Sequence, residues 1–261
     1  MMQERVIGIA GLGGVGGRYF LDLVRLGFKK FIISDPDVYE TTNINRQMCA
    51  YTANVGKKKS IVLTARAKRI NPDVNIRIID SITETNVESF CEQCDIVLDC
   101  LDLFAMDIRR ILHFTCWNSH VDFISTAPLG FGASIAIFKC TDDNSVMPAR
   151  YFGFDQWDTD KLRLCKFLAG MSPACLHRTY FNQSAGSFNF EKRLAPSTVI
   201  GMEMAAALTV ANVVKVLRKE KVKAVPYVHQ VDAYRLKMKT TKRGKYNIFR
   251  RILLTKLMSV L

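Results

Sequence analysis

A short apolar run, Val6-Ile7-Gly8-Ile9-Ala10, leads straight into Gly11-Leu12-Gly13-Gly14-Val15-Gly16, after which Gly17 to Leu26 keeps helical spacing and stops at Gly27. A second apolar run, Phe31-Ile32-Ile33-Ser34-Asp35, closes the unit. Few folds accommodate that order. A buried strand, a glycine turn, a helix and another buried strand make a βαβ unit with its strands parallel. With so few side chains at the turn, backbone N–H groups can approach a phosphate at the helix N-terminus. Asp35 ends the second strand about 20 residues beyond the loop, where a carboxylate can accept hydrogen bonds from ribose hydroxyls. This motif serves NAD, FAD and ATP alike, and a tight turn that binds nothing is the plain alternative.

The alternation continues. Residues 36–57 are polar and irregular, and Lys58 to Ile70 reads as a helix closed by Asn71-Pro72, since proline cannot continue it. Val74 to Asp80 is a third strand, Val87 to Cys94 a short helix, Asp95 to Asp99 a fourth strand, Arg109 to Asn118 a helix, and Val121 to Ser125 a fifth strand. The pattern predicts an α/β fold: a Rossmann-like, doubly wound, mostly parallel sheet with helices on both faces. After Pro128 the pattern changes. Gly132 to Cys140 alternates like a strand with one exposed face, and 141–195 reads as a long crossover segment with short helices. Thr198 to Leu217 is an alanine-rich buried helix, and Val225 to Tyr234 the last strand. The division expected is one domain over 1–234 and a basic tail over 235–261.

With 49% apolar residues the chain is globular rather than disordered. No apolar run approaches about 18 residues, so no transmembrane helix is expected. The strand begins too soon after Met1 to leave room for a signal peptide, so a cytoplasmic location is expected. Eight cysteines include one Cys-x-x-Cys, Cys91 and Cys94, with no second pair to complete a zinc site, and they read as reduced, mostly buried thiols. Much of the net charge of +13 lies near the end, from Arg235 through Lys256. Such a tail is either solvated or meets nucleic acid, an acidic protein or an anionic membrane.

The discriminating residues follow the glycine loop: Asn43, Arg46, Gln47, Lys59 and Asp102. A dinucleotide has little use for that set, whereas a triphosphate does. Arginine grips phosphate oxygens bidentately, and lysine adds a mobile point charge. A carboxylate such as Asp102 can hold magnesium while phosphates supply other ligands. All of these positions follow strands, at the carboxyl edge where such sheets bind ligands.

The chain resembles the E1-like adenylyltransferases, the ThiF/MoeB/HesA group related to ubiquitin-activating enzymes. The motifs that carry the resemblance are Gly-x-Gly-Gly-Val-Gly, Asp35-Pro36-Asp37, Thr42-Asn43-Ile44-Asn45-Arg46-Gln47, Gly56-Lys57-Lys58-Lys59, Arg69-Ile70-Asn71-Pro72 and Asp99-Cys100-Leu101-Asp102. They cover residues 5–140 well and the Thr198–Leu217 region more loosely. The resemblance implies that Gly11, Gly13, Gly14 and Gly16 form the phosphate loop, with Gly14 approaching the phosphates. Asp35 would hold the ribose, and Asn43, Arg46 and Gln47 would line the triphosphate. Lys59 would neutralise charge in the transition state, and Asp102 would organise Mg2+. It also implies ATP as co-substrate, an acyl-adenylate and pyrophosphate as products, and a homodimer. The acceptor it implies is the carboxylate of a ubiquitin-like or sulfur-carrier protein or of a peptide, and the basic tail keeps a nucleic-acid substrate in view.

Four features depart from the family. The N-terminal helical segment that carries a partner-directed arginine does not precede the first strand. Leu103 stands where asparagine is usual after the aspartate. Asp107 stands where an arginine is usual, with Arg109 and Arg110 nearby, and the paired zinc cysteines are missing. Cys165 and Cys175 lie in the segment where some relatives carry a nucleophilic thiol. Cys175 has His177 and Arg178 beside it, cations of the kind that raise a thiolate fraction, and His177 is also a candidate substrate or phosphate contact. His113 and His120 read as ordinary helix and loop residues. Two alternatives stand beside the enzyme: a non-catalytic E1-like partner subunit, and a nicotinamide or flavin oxidoreductase.

Overall fold

The structure, a computed structural model, describes residues 2–142, 145–177, 180, 189–193, 195 and 197–243. Among these residues eight strands form a single sheet: β1 (Val6–Ala10), β2 (Lys30–Ser34), β3 (Asn75–Ile79), β4 (Ile96–Asp99), β5 (Phe123–Leu129), β6 (Gly132–Phe138), β7 (Tyr227–Asp232) and β8 (Lys237–Lys242). Their spatial order is β3-β2-β1-β4-β5-β6-β7-β8. The first five are parallel, with Ile7 opposite Phe31 on one side and Ile96 on the other. The remaining pairings are antiparallel. Strand order reverses at β1, which opens a crevice between β1 and β4 at their carboxyl ends.

Seven helices flank the sheet among the described residues: α1 (Gly16–Arg25), α2 (Lys59–Ile70), α3 (Val87–Glu92), α4 (Met106–Asn118), α5 (Pro148–Phe152), α6 (Asp160–Met171) and α7 (Val199–Leu217). The pleat divides the core. Ile7 and Ile9 join Phe20, Leu63 and Val213 under α1, α2 and α7, while Ala10, Val97, Leu112 and Phe138 join Phe152 and Leu164 under α3 to α6. α1 buries Tyr19, Phe20, Leu23 and Val24 on one face. It ends where Gly27 takes φ +90, a conformation that glycine adopts without strain, and Phe28 N–H returns to Leu23 O at 3.1 Å.

Three expectations need correction. β6 has no exposed face, because α7 covers one side and the rings of Phe123, Tyr151 and Phe152 surround Phe138 on the other. β7 is not the last strand. Residues 237–242, assigned to a tail, pair with β7 as a lysine-rich edge strand, a composition that discourages further strand addition. Finally, α7 is a helix of 19 residues with mean hydropathy 1.6, long and apolar enough to cross a membrane by length and composition. Here it lies against β5, β6 and α1. The tail beyond Arg243 is outside the described residues, as is Arg178.

Candidate functional site

The glycine loop leaves β1 at the strand-order reversal, held by Gly11 N–H to Ser34 O of β2 (2.8 Å) and Cys100 N–H to Ala10 O (2.9 Å). Its glycines serve two purposes. Gly11 has φ +98, and a Cβ there would lie 2.3 Å from Cys100 O; one on Gly16 would lie 1.9 Å from Gly11 O. These two are required by close backbone approach. A Cβ on Gly13 would meet nothing nearer than Gln47 Nε2 at 3.9 Å, and one on Gly14 would meet only the flexible end of Met202 at 2.8 Å. Gly13 therefore leaves space open above the loop, while the absence of a side chain at Gly14 lets Met202 of α7 close over it. No side chain caps the N-terminus of α1, so its first-turn N–H groups suit an anion.

Asp35 ties this loop to the rest of the site. Its Oδ2 accepts from Leu12 N–H at 2.6 Å and its Oδ1 from Asp37 N–H at 2.9 Å. Burial raises the Asp35 pKa, and the opposing pull of Lys59 and the two N–H groups does not cancel it. Lys59, the first residue of α2, is only 4% exposed. Its Nζ donates to Asp37 Oδ2 at 2.8 Å and lies 4.0 Å from Asp35 Oδ1. Gln47 faces the loop with a buried Oε1 that has no hydrogen-bond partner among the described residues.

The Asn43–Arg46 turn is self-contained. Asn43 Oδ1 accepts from Glu40 N–H (3.1 Å), while half-buried Arg46 folds back on Thr42 O and Asn45 Oδ1, both at 2.9 Å. Asp102, also exposed, begins a turn after β4 in which Oδ1 accepts Phe104 N–H at 2.9 Å. The structure thus joins Gly11, Gly13, Gly14, Gly16, Asp35, Gln47 and Lys59, with the Asp102 turn adjoining through Cys100. Asn43 and Arg46 lie on their own turn, making no side-chain bond to the others among the described residues. Arg5 is at the opposite edge of the sheet, paired with Asp95 at 2.6 Å.

As for a metal, no group of three His, Cys, Asp or Glu side chains among the described residues is arranged to hold one. A caged structural ion does not fit. A single exposed carboxylate with one oxygen outside the turn does fit magnesium, which takes most of its ligands from phosphates and water.

Several residues of consequence escaped the sequence. Asp99 is fully buried, and its carboxylate accepts from Arg109 Nε (3.0 Å), His113 Nε2 (2.8 Å) and Ser125 Oγ (2.7 Å). Burial alone would raise its pKa; Arg109, His113 and the hydrogen bonds outweigh burial and hold it well below the usual carboxylate range. His113 is therefore not an ordinary helix residue. Arg109 is committed inside the protein, and Asp107 pairs with Arg163 of α6. The i, i+4 spacing of Arg109 and His113 after Asp99 was the available signal.

The thiol expectations also change. Cys165 is buried, which pushes its pKa up to about 11, so it is a poor nucleophile. Cys175 is the one partly exposed cysteine. His177 does not serve it or a substrate. Fully buried, its Nε2–H donates to Val231 O at 2.9 Å and its Nδ1 accepts from Gln230 Nε2 at 3.2 Å, while burial lowers its pKa. None of the eight cysteines is in a disulfide, and Cys91 lies 3.5 Å from Cys116.

The ThiF family matches residues 2–247, nearly the whole chain. The chain belongs to the ThiF family. Among this ThiF-family chain's curated relatives, the probable molybdopterin-synthase adenylyltransferase of Gracilaria tenuistipitata var. liui is 32% identical over 130 residues, 49% of this chain and 36% of that protein. The sulfur carrier protein ThiS adenylyltransferase of Escherichia coli (strain K12) is 28% identical over 138 residues, 52% of this chain and 54% of that one. The chain thus spans about half or less of these relatives. The fold matches crystal structures of PaaA (TM-score 0.68, 17% identity, 92% of this chain and 73% of that one) and of E. coli MccB with ATP (TM-score 0.65, 19% identity, 95% and 66%).

Proposed function

We propose that this ThiF-family chain activates a carboxylate as an acyl-adenylate at the expense of ATP. The observation that carries the reading is Lys59, a buried cation bonded to Asp37 beside the Asp35-anchored glycine loop. A buried lysine needs a strong anionic partner, and the phosphates of a bound triphosphate would replace Asp37 in that role. Gly13, and Gly14 once Met202 shifts, admit the phosphates, Asp35 takes the ribose, and Gln47 Oε1 gains a partner. Asn43 and Arg46 flank the triphosphate once Arg46 leaves Thr42. Asp102 would hold Mg2+, which supplies charge neutralisation on the phosphates.

The acceptor carboxylate attacks the α-phosphorus, forming a C–O–P link as the bond to pyrophosphate breaks. The nucleophile is already an anion, so no general base is required, and catalysis rests on positioning and electrostatics. A small carrier protein's C-terminus or a peptide is the acceptor class. Relatives named as activating ThiS or SAMP, and MccB structures containing the peptide MccA, support it. A homodimer follows from the family resemblance, and unpaired thiols fit a reducing compartment such as the cytoplasm. ATP–pyrophosphate exchange over a panel of carboxylate acceptors, in wild type and Asp102→Ala, tests the reading. Exchange lost in the variant supports it, whereas ATP binding without exchange for any acceptor counts against it.

A second reading is favoured by Leu103 and by Arg46, whose guanidinium is spent on its own turn. On it the chain is a non-catalytic subunit, and exchange appears only when a complementary E1-like chain is added.

A further inference from the structure

Beneath the Asp102 turn sits a charged cluster to which no role has yet been given. Arg109 reaches out of α4 in two directions at once. Its Nε donates to Asp99, while Nη2 donates to Leu101 O at 2.6 Å and Nη1 to Leu103 O at 3.4 Å. Leu101 and Leu103 are the two neighbours of Asp102. Asp99, two residues before Leu101, is itself fixed by His113 from α4 and Ser125 from β5, and Leu101 N–H lies 3.4 Å from its Oδ1. The guanidinium also lies over the Phe167 ring, 4.8 Å from its centroid, which fixes its plane from the α6 side.

We infer that Arg109, oriented by Asp99 and braced by His113, is a positioning residue for Asp102, setting where that carboxylate meets a metal–triphosphate. The inference rests on the proposed role of Asp102. A planar, multidentate cation suits the task, because it can bridge the Asp99 carboxylate and both flanking carbonyls in one rigid unit. Burial of the same cluster excludes competing water. The bland alternative is a buried ion cluster that only fastens α4 to the sheet. That role predicts an effect on stability but none on how metal is held.

The test measures manganese(II) binding by electron paramagnetic resonance, with a non-hydrolysable ATP analogue present, alongside thermal unfolding. Arg109→Lys keeps the charge on Asp99 but cannot bridge three acceptors. Asp99→Asn with Arg109→Gln removes both charges together, because Arg109→Gln alone strands a buried carboxylate. Both variants should bind nucleotide in EDTA as wild type does and hold manganese about 10–100-fold more weakly, the range seen when a metal ligand loses its supporting partners. His113→Gln, the mildest change, should give a smaller loss and decides the matter if the others do not fold. Arg163→Gln, at the other end of the same helix contact, should leave manganese binding unaltered.

Folded variants that hold manganese as wild type does, while Asp102→Ala does not, would overturn the inference and leave the Asp102 role standing. An unaffected Asp102→Ala would overturn both.

Discussion

Lys59 Nζ lies 2.8 Å from Asp37 Oδ2 and 4.0 Å from Asp35 Oδ1, so one buried cation faces both carboxylates of the Asp35-Pro36-Asp37 turn. Asp37 is itself largely exposed, which leaves it free to give up the lysine. Lys59→Gln should lower the rate of pyrophosphate exchange by about 10²–10³-fold, the scale for removing one electrostatic contact to developing charge. Asp37→Asn removes the competitor for Lys59 and should lower KM for ATP. A raised KM would instead make Asp37 a nucleotide contact.

The four loop glycines should separate by experiment. Gly11→Ala and Gly16→Ala drive a methyl into backbone and should lower Tm sharply or prevent folding. Gly13→Ala and Gly14→Ala should fold with Tm close to wild type, since only Met202 must shift, yet lose ATP affinity. Calorimetry and nucleotide titration on the same four proteins check both halves.

Asp99 predicts the acid limb of stability. Its pKa in the folded state is depressed, so its contribution is complete above the ordinary carboxylate range and is lost as pH falls through about 4 toward the depressed value. Asp99→Asn should flatten the fall of Tm as pH drops below about 4. Arg109→Gln should cost roughly 3–5 kcal/mol at neutral pH, since the carboxylate would be left buried without its cation. An unchanged slope in the asparagine variant would assign acid sensitivity to other carboxylates.

Alkylation should find Cys175 first, as the other seven thiols are buried. Mass spectrometry after brief iodoacetamide treatment should show a single modified site, with Cys165 unmodified. Cys175→Ser should retain ATP–pyrophosphate exchange, because adenylation needs no thiol. Loss of exchange in that variant would give Cys175 a place in the first chemical step.

Much of this architecture was legible in the chain. The five parallel strands, their helices and the motif residues follow from strong local patterns: apolar runs of strand length, glycine between strand and helix, proline after Asn71. What escaped depends on partners distant in sequence. Burial of both faces of β6 requires α7 and the aromatic group around Phe138, and no periodicity within Gly132–Cys140 reports them. β8 was hidden because its lysines read as a solvated tail, although an edge strand is where such residues belong. At the site, type and spacing pointed to Asp35, Lys59 and Asp102. They could not show that Arg109 turns inward, that His177 is enclosed, or that Asp37 holds the lysine, since each depends on which side chain reaches which acceptor.

Met202 sits over Gly14, yet it arrives on α7, beyond the whole crossover segment. Every motif that marks the site has left the ribosome before residue 103, but the lid of its phosphate loop has not. A nascent chain that has formed only the parallel half carries the full signature around an uncovered loop, exposed to solvent until α7 is made and docked on α1. The order of synthesis therefore separates the appearance of the binding residues from the arrival of the side chain that covers their loop.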